Sequence, residues 1–135
     1  MNPKFAAAVA AIGLVVVVAT PVVAHHSFAA EYDANRNITV KGSVTRIEWT
    51  NPHTHVHVAV KDDKGNVTSL NFELASPMVL LQNGWRANSL SVGDEVTVEG
   101  AMAKDGSSRA NARAVTLADG RRVSAGSSGG DFPSK

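Results

Sequence analysis

Along the stretch NITVKGSVTRIEWTNP, residues 37–52, Val40, Gly42 and Val44 share one phase of an alternating pattern, and Ile47 and Trp49 fall into the other. Alternation with period two marks a strand with one buried face. A slip of one residue inside such a run is what a β-bulge or sharp bend produces. A long strand that bends can pair with different neighbours at its two ends, so a small sheet containing it can close on itself. This constrains the fold more than any other feature of the chain.

The remaining pattern fits that constraint. In residues 53–60, Val56, Val58 and Val60 lie on one face and His53, His55 and His57 on the other. The polar run KDDKGN then connects to a returning strand over residues 67–74, with Leu70, Phe72 and Leu74 inward and Ser69, Asn71 and Glu73 outward. Ser76 as cap, Pro77 at the first helical position and Gly84 at the end delimit a helix of two turns. A strongly alternating strand follows at residues 95–100, then a polar turn at 104–108 and a last main strand at about 111–117. Asp119 and Gly120 supply the turn for a small terminal hairpin. The expected fold is mainly β: a small five-stranded OB-like β-barrel with one short helix between strands 3 and 4.

Before this domain, Lys4 precedes fifteen uncharged, mostly apolar residues, 5–19, and Val22-Val23-Ala24 offers small residues at the positions a signal peptidase inspects. A helix that spans a bilayer takes roughly 20 apolar residues, and this run is shorter and is followed by Pro21. The expectation is a cleaved signal peptide over 1–24, a periplasmic or secreted product, and no stable membrane insertion after cleavage. An arm would then occupy 25–36, the barrel domain 37–123, and a Gly- and Ser-rich tail without fixed structure 124–135. With no cysteine in the chain, the domain is held by its core alone. Removal of 24 of the 135 residues leaves 111, enough for one core. Twelve Lys plus Arg then balance twelve Asp plus Glu, so the excess positive charge that nonspecific nucleic-acid binding needs is missing.

The wording of the sequence also resembles a known family. The runs HHSFAAEYD, VKGSVTRIEWTNPH, FELASP, GW and SLSVGDEVTVEGAMAKDGSSRANARAVTLADGR are similar to the DUF6152 family of small exported bacterial proteins. The resemblance covers nearly all of the chain from His25 to Arg122 and implies an exported OB-like barrel with no assigned activity. In that family the Asn-Pro-His at residues 51–53 is the recurrent element, commonly followed by aromatic or aliphatic residues. Here His55 and His57 follow instead, so a site built on His53 would be shared and one requiring the other two would be particular to this chain.

All five histidines fall in two clusters, His25-His26 and His53-x-His55-x-His57. Side chains at i and i+2 on a strand project the same way from α-carbons roughly 6.6 Å apart, a gap that two imidazoles can close around one ion. Copper and zinc both accept imidazole nitrogen. Cleavage before His25 would free an amine beside its imidazole, and these two nitrogens together can chelate copper, as in a histidine brace. Glu73, outward on the strand paired with the histidine strand, is a candidate carboxylate ligand or a group behind a ligand. The candidate metal residues are therefore His25, His26, His53, His55, His57 and Glu73, set against the plainer alternative of an exposed strand face.

Other features point less sharply. Trp49 and Trp85 are expected in core or rim packing, and Arg109, Arg113, Arg121 and Arg122 along a solvated strand edge. There is no Gly-x-Ser-x-Gly elbow, phosphate loop or thiol, so the expectation is a binding protein and not an enzyme. The one enzymatic version that the residues allow is copper-dependent oxidation at an amino-terminal histidine. The function expected is that of an exported OB-like binding protein with copper or zinc as ligand. The alternative is an accessory module that docks an envelope protein, its histidines incidental.

Overall fold

The computed structural model describes residues 27–126. Among them lie six strands and two short helices. In chain order they are α1 (Ser27–Glu31), β1 (Tyr32–Glu48), β2 (His55–Lys61), β3 (Val67–Glu73), α2 (Pro77–Gln82), β4 (Glu95–Ala103), β5 (Arg109–Thr116) and β6 (Arg122–Ser124).

The long first strand is shared between two neighbours. Its earlier part pairs antiparallel with β4, from Asn37 opposite Ala101 to Ser43 opposite Glu95. Its later part pairs with β2, from Ser43 opposite Ala59 to Glu48 opposite His55, and the register shifts between Val44 and Arg46. That is where the sequence alternation slips. The handover falls at Ser43, next to Gly42, where an added Cβ would sit 2.3 Å from the Ala59 carbonyl oxygen. Only hydrogen fits there, because the backbone of β2 crosses the space that a side chain would need.

β2 returns into β3 through a turn organised by Asp62, whose Oδ1 accepts from the backbone N–H groups of Lys64 and Asn66 at 2.9 and 2.8 Å. Gly65 supplies the positive φ of 88° that the turn requires. Closure comes from β5, which lies parallel to the end of β3 over three pairs, Asn71–Arg109, Phe72–Ala110 and Glu73–Asn111. Its other edge is antiparallel to β4. The pairings β1–β2–β3–β5–β4–β1 therefore form a ring, with α2 between the third and fourth strands, where the sequence signals place it. β6 pairs with the later part of β5, Ala114 to Thr116, continuing along the edge that β3 vacates.

The core fills this ring. Val56, Val58, Leu70, Phe72 and Leu74 are all buried in the phase read from the sequence, with Val44, Val96, Val98 and Val115 from the other strands. Leu80 plugs one end from α2, whose cap Ser76 accepts from Val79 N–H. No helix among the described residues is long and apolar enough to cross a membrane.

Both edges of the domain lie outside the limits drawn from composition. α1 and the start of β1, residues 32–36, occupy residues read as an arm. α1 is held to the ring by backbone and side-chain bonds from Lys104 to Glu31 O and Ala29 O, and by the tilted stacking of Phe28 on Tyr32 at 5.7 Å. At the other end Ser124 is in β6, and its carbonyl accepts the Trp85 indole N–H at 2.7 Å. Ala125 is buried, donating to Arg113 O and accepting from Ala75 N–H. Small residues near a Gly/Ser-rich run look dispensable by composition, yet here the backbone does the bonding. The 1–24 segment and residues 127–135 lie outside the described residues.

Candidate functional site

Strand pairing sets the surroundings of each histidine. Cross-strand neighbours on one face of a sheet point the same way, so His55 stands between Glu48 of β1 and Glu73 of β3, and His57 between Arg46 and Asn71. The bonds run diagonally. His55 Nδ1 lies 3.1 Å from Asn71 Oδ1, and His57 Nε2 lies 2.9 Å from Glu48 Oε2. Glu48 also pairs with Arg46 at 2.8 Å. The hydrogen bond from His57 holds the Glu48 carboxyl below its ordinary range, and the positive charge of Arg46 acts in the same direction.

His53 lies apart from this pair. It follows the cis Asn51–Pro52 peptide, just before β2, and its Nδ1 is 3.3 Å from Glu73 Oε1. The other carboxylate oxygen, Oε2, accepts the Tyr32 hydroxyl at 2.8 Å. Burial pushes the Tyr32 phenol far above its ordinary value, the bond to Glu73 and its charge push the same way, and the Arg109 charge opposes them. Tyr32 is therefore a proton donor at any ordinary pH. His53 and Glu73 line a cleft of about 200 Å³ at one end of the ring, together with Pro52, Ser76, Asn111 and Gly126.

The structure thus brings together His53 and Glu73, and turns His55 and His57 to different acceptors. Among the described residues no group of three or more His, Cys, Asp or Glu side chains is arranged to hold a metal ion. His25 and His26 lie outside the described residues. The residue that sequence reasoning missed is Tyr32. It is the chain's one tyrosine and stands six positions after His26, but a link to Glu73 across 41 positions leaves no trace in local spacing.

The other candidates resolve into packing. Trp85 is buried, and Trp49 is partly buried against the core. Arg109 reaches Glu31 and Asp105, Arg121 pairs with Asp119, and Arg122 forks onto Glu99 at 2.8 and 3.0 Å. Burial lowers the pKa of Arg113 from its usual value. Arg109, Arg121 and Arg122 thus pair with acidic side chains along hairpins and strand edges.

Ring and cleft together define a small β-rich domain with a pocket of mixed polar and apolar lining at one end. The chain belongs to the DUF6152 family, described as a family of unknown function, whose model matches residues 11–112. No curated protein and no solved structure matches the chain.

Proposed function

We propose that this chain is an exported, non-enzymatic binding domain that takes up copper or zinc at the open end of the ring, with His53 as the central imidazole. The observation that carries this reading is the Tyr32–Glu73–His53 chain of contacts at the cleft. It sets an imidazole beside a carboxylate, and it ties that pair to the amino-terminal segment. α1 is five residues long, or about 7.5 Å at the helical rise of 1.5 Å per residue. His26 immediately precedes it. In this reading a freed amine with His25 or His26 supplies the further nitrogen ligands, and a nitrogen-rich set favours copper(II) over zinc. In this reading His55 and His57 serve the outer sheet face and are not ligands.

Copper(II) titration by calorimetry tests it, on processed protein that keeps its native first residue. His53→Ala is expected to weaken binding at least tenfold, as is one extra residue before His25, whereas His57→Ala should bind like the wild type. Affinity should fall as pH drops through about 6.5, where free imidazole takes up its proton. Indistinguishable isotherms for all the proteins would remove the metal from the account.

Export is proposed on residues 1–24. Intact-mass measurement of protein recovered from the periplasm is expected to show His25 as the first residue; full-length protein confined to the membrane fraction would contradict it. The accessory-module reading has one observation in its favour. Met78 and Leu81 on α2 are 69% and 46% exposed, with Val79 beside them at 38%. Such a face suits an envelope partner and would act without metal.

A further inference from the structure

We infer that the cleft is a socket for a lysine side chain of a partner segment, with the Glu73 carboxylate receiving the ammonium group and the exposed apolar face of α2 receiving the flanking residues. This rests on the accessory-module reading above and needs no metal.

Glu73 ends β3 with His55 of β2 on one side and Asn111 of β5 on the other, so the closing seam of the ring fixes its backbone. Its side chain is only 16% exposed. A carboxylate so far removed from water is costly unless donors surround it, and its two oxygens together offer about four lone-pair sites. Among the described residues it accepts one hydrogen bond, at Oε2 from the Tyr32 hydroxyl. The close polar neighbour of Oε1 is His53 Nδ1 at 3.3 Å, an ion-pair distance without hydrogen-bond alignment. Arg109, on the neighbouring strand, reaches Glu31 and Asp105 instead, and no lysine or arginine among the described residues lines the cleft. Oε1 is thus left to a cationic donor from outside. An arginine fork engages both oxygens of a carboxylate, and here Tyr32 holds one of them. An ammonium is a compact point charge on a four-carbon stem, and one oxygen suffices for it. Such stems lie along apolar surface while the charge reaches its partner, and Pro52, Leu74, Ala75 and Val79 give apolar wall to a space of about 200 Å³. Val79 is also part of the exposed face of α2 with Met78 and Leu81, so the socket opens beside that rim. A free amine would fill the socket and leave the rim uncovered; a peptide segment covers both.

The test is an amide NMR titration of the metal-free, isotope-labelled processed protein with four probes: the blocked peptides acetyl-Leu-Lys-Leu-amide, its glutamine and arginine counterparts, and n-butylammonium. The lysine peptide is expected to shift the Glu73, Val79 and Gly126 amides to saturation and to bind roughly tenfold or more tightly than the glutamine peptide. The arginine peptide should fall between them. Glu73→Gln keeps the shape and removes the charge, and it should bring the lysine peptide down to the affinity of the glutamine peptide. Met78→Ser combined with Leu81→Ser should weaken the lysine peptide several-fold and leave butylammonium unchanged. If Glu73→Gln fails to fold, the comparison of peptides on the wild type decides alone. Equal binding of the lysine and glutamine peptides, or no saturable shift at the cleft, would overturn the inference. Butylammonium bound at Glu73, with a peptide affinity indifferent to the α2 variant, would overturn the partner reading and leave only an ammonium socket.

Discussion

Gly42→Ala is expected to cost the domain about 3 kcal/mol or more, the upper range for forcing extra atoms into a packed interior. The added Cβ would lie 2.3 Å from the Ala59 carbonyl oxygen and 2.9 Å from Val58 Cγ1. The first of these atoms is backbone in the middle of β2, so no rotamer change relieves the contact. β1 and β2 would have to separate where β1 passes from one partner strand to the other. A single-domain stability is roughly 5–15 kcal/mol, so urea denaturation should show either a much lower midpoint or no folded baseline. Lys41→Ala, one residue away and exposed, should stay within about 0.5 kcal/mol of the wild type. Equal midpoints for the two variants would mean that β1 does not cross β2 as described.

A second large effect is expected from Val58→Asp. Val58 is fully buried and pairs with Val44 on one side and Leu70 on the other, and none of these offers a proton or a positive charge. A carboxylate there must either stay charged without a partner or take up a proton, and both are costly. The loss should exceed about 4 kcal/mol, the range associated with buried unpaired charge. Ser69→Asp, exposed on the neighbouring strand, isolates the effect of burial from that of charge and should leave thermal unfolding nearly unchanged. Similar damage from the two would mean that the inward and outward faces of this hairpin have been exchanged.

Much of the fold was legible because its signals are local. The slip between Val44 and Ile47 marks the bulge found between Val44 and Arg46. Ser76, Pro77 and Gly84 bracket the helix at Pro77–Gln82. Both act within a few residues of where they are read. The candidate site is legible only in part. Strand period puts His53, His55 and His57 on one face, but what each imidazole meets depends on the registers of β1 and β3. Those registers turned His55 to Asn71 and His57 to Glu48. The Tyr32–Glu73 bond depends on ring closure through the three parallel pairs of β3 and β5, and no periodicity within one segment encodes a pairing between two.

The lining of the cleft, drawn from Pro52 through Asn111 to Gly126, also sets a clock. Synthesis proceeds from the amino terminus at about 5–20 residues per second, so Gly126 is made roughly 3–10 s after Glu73. Until β5 has been made β3 has no parallel neighbour, and Glu73 and His53 stand on an unfinished hairpin. The chain therefore emerges with its histidines present and its pocket absent. Whatever the pocket holds is met by a finished domain, and an interrupted chain ending before Arg109 would carry every candidate ligand without the walls that arrange them.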